Sequence, residues 1–210
     1  MKKKILILAG GFSKEREISL KTAQGVNKAL VKKKYLTKIC EPDGNLVKTL
    51  RHFKPNVVFN ALHGRYGEDG FVQSMLEFAK IPYTHSGVLA SSLAMDKELS
   101  RIIFKKNKIK VPKYFLLEKG YEKSLSKKIK NKKIKFPIVI KPINEGSSLG
   151  VYICKNEIQF YKNYKKLKKE YDKILVEEYI PGKEIQVAVM GNKALGAIEL
   201  VPRREFYDYT

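Results

Sequence analysis

Apolar runs alternate with amphipathic stretches through the first half of the chain. Lys4 to Ala9 reads as a continuous apolar run and closes on Gly10-Gly11, the pattern of a strand covered on both faces. Glu15 to Leu30 then spaces Ile18, Ala23, Val26, Ala29 and Leu30 for one helical face. The alternation recurs: Tyr35–Cys40 as strand, Leu46–Phe53 as helix, Asn56–Leu62 as strand, Phe71–Ala79 as helix, Ile81–Thr84 as strand. Ser91–Asn107 follows as helix, with Leu93, Leu99, Ile102 and Ile103 apolar and Asp96, Lys97, Glu98 and Arg101 polar. Strands separated by helices in this way predict an α/β fold on a parallel sheet.

Beyond Val111-Pro112 the rhythm changes to strands in succession. Tyr114–Leu117, Phe136–Ile140, Val151–Ile153, Ile174–Ile180, Ile185–Met190 and Ala194–Val201 are the expected strands. Gly191-Asn192 fits a tight hairpin turn between the last two. Glu157–Tyr171 is the amphipathic helix, with Ile158, Phe160, Tyr164 and Leu167 inward. Lys119–Lys135 is a basic connection expected to hold a helix and no chemistry.

Hydrophobic content of 43% and charged content of 30% over 210 residues describe a globular chain able to bury a core. The formal charge of +22 invites a polyanion partner. However, the lysines fall in helical and loop segments rather than among aromatic stacking positions, so specific nucleic-acid binding is not expected. Cys40 and Cys154 lack zinc or redox spacing and fit reduced thiols in a cytoplasm. The apolar run after Met1-Lys2-Lys3-Lys4 is too short for a signal core or a membrane span, so no membrane partner is expected.

The richest stretch is Phe136 to Gly150, FPIVIKPINEGSSLG. A strand ends in Lys141-Pro142, and the loop that follows holds Glu145, Gly146, Ser147, Ser148 and Gly150. Such a loop can turn N–H groups and hydroxyls toward an anion, with the lysine as a point charge beside it. A plain hairpin with a solvated loop fits the same residues. The loop joins two strands and its lysine precedes it, which excludes a Walker loop. The HRD and DFG elements of protein kinases are also lacking.

Gly10-Gly11 is not a dinucleotide fingerprint. Glu15 near the next helix start either complements the helix dipole or orients a substrate ammonium. His63-Gly64-Arg65-Tyr66-Gly67-Glu68-Asp69-Gly70 leaves the C-terminal end of a strand, where open α/β sheets hold ligands. Lys97 reads by itself as a solvated helix lysine.

Taken together, GGFSKEREISL, ALHGRYGEDG, YTHSGVLASSLAMDK, FPIVIKPINEGSSLGV, LVEEYIPGKE and EFYDY, in this order from Gly10 to Tyr209, resemble the D-alanine–D-alanine ligases, an ATP-grasp family. The resemblance implies an N-terminal α/β substrate domain over 1–95, a central ATP-grasp domain over 96–182 and the start of a C-terminal ATP-grasp domain over 183–210. It implies that Lys97 and Lys141 contact ATP phosphates and that Glu145 to Gly150, with Gly146, Ser147 and Ser148, closes over them. Glu177, Glu178 and Ile180 belong to the hinge that meets adenine, and Glu184 binds ribose. Glu15 positions the ammonium of the first D-alanine, His63 lies near its carboxylate, and Ser147 joins Glu15 in holding the lid shut.

The expected reaction joins two D-alanines through a D-alanyl phosphate for peptidoglycan precursors, in the cytoplasm, by a homodimer. Mg2+ or Mn2+ is expected as cofactor, with ligands beyond Thr210, where the last third of the family's length would lie. Residues 1–210 alone are accordingly expected to make no dipeptide. A D-alanine–D-lactate ligase and a basic binding protein that kept the fold are the rival readings.

Overall fold

In the computed structural model, residues 2–118, 129 and 131–201 are described. The chain divides into two compact units, 1–103 and 104–210. The EFYDY motif and most of the Lys119–Lys135 connection lie outside the described residues.

The first unit is built on β1 (Lys4–Leu8), β2 (Leu36–Cys40) and β3 (Val57–Asn60), all parallel in the order β2-β1-β3. The apolar run is central because only a strand buried on both faces can hold Leu6, Ile7 and Leu8 away from water. One face packs Leu6, Leu8 and Val58 against Leu46 and Leu50 of α2 (Leu46–Phe53) and Val72 and Leu76 of α3 (Phe71–Phe78). The opposite face packs Ile5, Ile7 and Ala9 on Ala23, with Leu20, Val26 and Leu30 of α1 (Arg16–Lys32).

Two expectations are corrected in this unit. Ile81–Thr84 forms no full strand but a single parallel bridge, Val58 to Tyr83. Pro82 has no N–H to donate, and the Asn60 N–H goes to the Thr84 hydroxyl at 3.0 Å, which ends the ladder. Ser91–Asn107 is two helices, α4 (Val88–Met95) and α5 (Lys97–Lys106). Asp96 between them is extended, and its Oδ1 accepts from the N–H groups of Glu98 and Leu99 at 2.8 and 3.0 Å. An aspartate in that position starts a new helix. Along α5, Arg101 is buried while Leu99 and Ile102 are exposed.

The second unit holds a four-stranded antiparallel sheet in the order β4-β7-β5-β6, from β4 (Tyr114–Glu118), β5 (Ile138–Pro142), β6 (Tyr152–Cys154) and β7 (Lys173–Glu178). One face, with Ile138, Ile140, Ile174 and Val176, packs on Phe160, Tyr164 and Leu167 of α6 (Glu157–Leu167). Ile158 was expected inward and is 80% exposed. The buried residues follow an i, i+4, i+7 stripe, and Ile158 stands about 200° around the helix from Phe160. A separate hairpin, β8 (Glu184–Met190) with β9 (Lys193–Leu200), turns at Gly191 with φ +59.

Candidate functional site

In the first unit, α1 begins immediately after Glu15, which is 5% exposed. Its carboxylate makes no capping hydrogen bond to α1. It lies instead against the loop after β3: a Cβ placed on Gly64 would stand 2.6 Å from Glu15 Oε2. Gly64 has φ +67, so both backbone and space call for glycine there. The structure therefore joins two stretches that sequence could only nominate separately.

Short polar contacts hold that junction. Ser13 Oγ donates to the His63 carbonyl at 2.7 Å and accepts from the Glu15 N–H at 3.2 Å. Ser19 Oγ, fully buried, donates to the Ala61 carbonyl at 2.7 Å and accepts from the Gly10 N–H at 2.8 Å. The 63–70 loop is tied from below: Asn60 Nδ2 and Gln73 Nε2 both donate to the Gly67 carbonyl at 2.8 Å. Asp69 accepts from the Tyr66 and Phe71 N–H groups at 2.9 and 3.1 Å. Glu41 clamps the Gly-Gly turn by accepting from Arg16 Nε and Nη2 at 3.1 and 2.6 Å and from the Gly11 N–H at 3.3 Å.

Ser13, Asn60, Gln73 and Glu41 were not among the residues singled out from sequence. Asn60 carried a usable signal, a polar residue inside an apolar strand; Glu41 carried none, since its partner lies 25 positions away.

His63 Nε2 is 3.1 Å from Thr22 Oγ1, and its Nδ1 is 3.7 Å from Glu68 Oε1, an ion-pair distance. The Glu68 carboxylate holds His63 above its ordinary pKa, against burial, with a further contribution from the Glu15 charge. Burial pushes Glu68 upward, but the His63 ring and the Gly64 N–H outweigh it and leave the carboxyl below its usual value. The His63 contribution to stability is thus complete below its unfolded value near 6.5 and disappears as pH rises through the raised folded value. The Glu68 contribution is present above 4.5 and fades as pH falls through its lowered folded value. Changing His63 to Gln should therefore cost stability at about pH 6 and almost none at about pH 9. Urea midpoints that differ equally at both pH values would contradict this.

In the second unit, β5 and β6 pair with Ile140 opposite Tyr152, and the loop carrying Gly146, Ser147 and Ser148 connects them. Ser147 and Ser148 have φ +48 and +60, a left-handed pair of non-glycine residues, followed by Gly150 at +70. Each left-handed serine costs about 1–3 kcal/mol of strain, and such residues gather at ligand clamps. The turn is closed by Leu149 N–H to the Gly146 carbonyl at 2.9 Å and Val151 N–H to the Ser148 carbonyl at 3.2 Å. Glu145, at its base, accepts from the Tyr171 hydroxyl at 2.8 Å.

Lys141 and Glu177 form an ion pair between β5 and β7. Glu178 pairs instead with Lys113, accepting from its N–H at 2.9 Å. Ile180 and Glu184 line a cavity of about 540 Å3 together with Ile153, Tyr179, Lys183 and Glu199. Lys97, half-buried, is the first residue of α5, and its carbonyl accepts from Arg101 Nη1 at 2.9 Å. Glu15 and His63 thus lie in the first unit with Lys97, and Lys141, Glu145, Ser147, Glu177, Ile180 and Glu184 in the second. Among the described residues no three carboxylate, imidazole or thiol groups converge as a metal site would need. No described helix is long and apolar enough to cross a membrane.

Residues 103–210 match the family model "D-ala D-ala ligase C-terminus", and residues 41–86 match "D-ala D-ala ligase N-terminus". The D-alanine–D-alanine ligase of Pelagibacter ubique is 60% identical over 209 residues, covering 100% of this chain and 68% of that protein. The crystal structure of the Bacillus anthracis D-alanine–D-alanine ligase is 31% identical with a TM-score of 0.85, covering 99% of this chain and 67% of that one. The structure of the same Bacillus enzyme complexed with ATP is 29% identical with a TM-score of 0.82, covering 97% and 68%. This chain spans about two thirds of the length of these relatives.

Proposed function

The chain belongs to the D-alanine–D-alanine ligase family, with the ATP-grasp fold, and from that premise we propose that it is the substrate- and nucleotide-binding part of an ATP-dependent ligase joining two D-alanines for peptidoglycan precursors. The observation that carries this reading is the junction of Glu15 with the His63 loop. A buried carboxylate beside an imidazole held toward its charged form offers one anion and one cation, the complement of an amino acid's ammonium and carboxylate.

A carboxylate is a poor acyl donor. ATP converts it to an acyl phosphate, and the amine of the second D-alanine displaces phosphate. Glu15 holds the first ammonium and His63 faces its carboxylate. Lys97, Lys141 and the N–H groups of the 145–150 loop offset charge on the transferring phosphoryl. The loop covers the acyl phosphate and keeps water from hydrolysing it; Ser147 at its tip, already in a clamp-like conformation, is the residue that closes on substrate. Adenine enters the cavity by Tyr179 and Ile180, with Glu184 on the ribose, which the lining of that cavity supports. The working enzyme is a cytoplasmic homodimer in this reading; both cysteines are free, as in a reducing compartment.

The test is a phosphate-release assay of the full-length protein with ATP and magnesium, supplying D-alanine alone or D-alanine with D-lactate. ADP and phosphate should appear in step with D-alanyl-D-alanine. No ATP consumption with D-alanine defeats the proposal, and a depsipeptide as the main product transfers it to the D-lactate reading.

A further inference from the structure

The solvent side of α6 carries charge of one sign. At about 100° per residue, burying Phe160, Tyr164 and Leu167 leaves Ile158, Lys162 and Lys165 together on the opposite side, with Tyr161 and Lys166 at its margins. The Lys168 N–H donates to the Tyr164 carbonyl at 2.9 Å, so the coil runs on past Leu167 and Lys169 extends the stripe. All of these outward residues are exposed. The carboxylate of α6, Glu157, stands about 100° around the helix from Ile158. Among the described residues no carboxylate pairs with Lys162, Lys165 or Lys169. Lys166 is drawn to the edge, its Nζ 5.7 Å from the centre of the Tyr152 ring on β6. The stripe also lies away from Lys141: Ile138 and Ile140 of β5 turn toward α6, so Lys141, next along the strand, turns to the other face of the sheet.

We propose that this face of α6 is a docking surface for an anionic lipid bilayer, onto which the protein adsorbs. Adsorption needs no spanning segment; lysines at a surface are attracted by the negative potential of acidic headgroups. Lys162 and Lys169 are separated by about 10 Å of helix, close to one Debye length at 0.1 M salt, so their charges act on the same patch of lipid. Ile158 and Tyr161 give that patch an apolar end, and an aromatic ring with a polar tip suits the headgroup layer. Nucleic acid fits less well. The stripe has no arginine to make paired bonds to a phosphate or a base edge, and its one aromatic ring sits at a margin rather than between lysines. Docked in this way, the protein keeps the Lys141 face of the second unit turned from the bilayer.

The test is co-sedimentation of the full-length protein with vesicles of phosphatidylcholine alone or with about one third phosphatidylglycerol. The protein should pellet with the anionic vesicles and stay in solution with the neutral ones. Raising the salt to about 1 M, where the Debye length is about 3 Å, should release it. Each lysine near an anionic surface is worth roughly fivefold, so Lys162→Gln/Lys165→Gln/Lys169→Gln should weaken vesicle binding about a hundredfold. Glutamine is as good a helix former as lysine, so α6 should keep its fold in that variant. Lys28→Gln/Lys32→Gln/Lys33→Gln removes the same charge from exposed positions on and just after α1 and should bind vesicles as the unsubstituted protein does. Equal losses in the two triple variants would make the attraction one of net charge and overturn the proposal. No binding to anionic vesicles would overturn it too, as would capture by duplex RNA in their place. Adsorption depends on this face alone, so its failure leaves the ligase reading untouched.

Discussion

Glu15→Gln should lower kcat/KM for D-alanine by about 10²–10³-fold while ATP affinity stays within about twofold, because truncating one partner of a buried charge pair costs about 2–5 kcal/mol. The substitution keeps the size of the side chain and its backbone, so the carbonyl of residue 15 still accepts from the Ser19 N–H at 3.0 Å. What disappears is the negative charge at a position 5% exposed, where little water can replace it. The loss should fall mainly on the first D-alanine, read from the dependence of rate on D-alanine at saturating ATP. D-alanine kinetics within threefold of the unsubstituted protein would remove Glu15 from the substrate site. A matching collapse in ATP affinity would point to a general loss of fold.

The second large effect is on stability. Gly67→Ala should destabilise the first unit by roughly 3 kcal/mol, the sum of an overpacking cost and weakened buried hydrogen bonds. The added Cβ would lie 2.4 Å from Leu62 Cβ and 3.0 Å from the Leu62 carbonyl carbon. Neither is the end of a flexible side chain, so the loop backbone has to move. Its carbonyl is the shared acceptor of Asn60 and Gln73, and that movement loosens both bonds. The helical Gly25 is the internal control, with nothing within 4 Å of its Cβ. Gly25→Ala should be neutral or stabilising by up to about 1 kcal/mol. Chemical denaturation of both variants gives the comparison; equal midpoints would show that the loop has room for a methyl.

Much of this architecture was legible as pattern. Lys4 to Ala9 with the glycine turn after it predicts the buried strand, and the pattern over Leu46–Phe53 gives the helix the bounds it has in the structure. The Glu157 helix starts where the pattern puts it but ends at Leu167 rather than Tyr171, and Ile158, which simple apolarity places inward, is turned outward by its angular position. The break at Asp96 is also available in the sequence, since an aspartate followed by an acidic residue in the first turn is a helix-start signal, but continuous polarity around it masks the break.

The site divides in the same way. Glu15, the His63 loop, Lys141 and the glycine-serine loop announce themselves by residue type beside strand ends. Their supports do not. Ser13 reaches the His63 carbonyl across 50 positions, and Tyr171 reaches Glu145 across 26. Ser147 and Ser148 take left-handed backbone that sequence would have reserved for Gly146 or Gly150.

By itself, then, the sequence determined the strand and helix order, the candidate chemistry and the family resemblance, because apolar periodicity and local residue type act over a few neighbouring positions. Only the tertiary structure decided that the Glu15 carboxylate rests on Gly64, that Glu177 faces Lys141, and that Glu178 turns to Lys113. Those pairings depend on strand register and loop closure, which bring together residues whose separation along the chain carries no local signal.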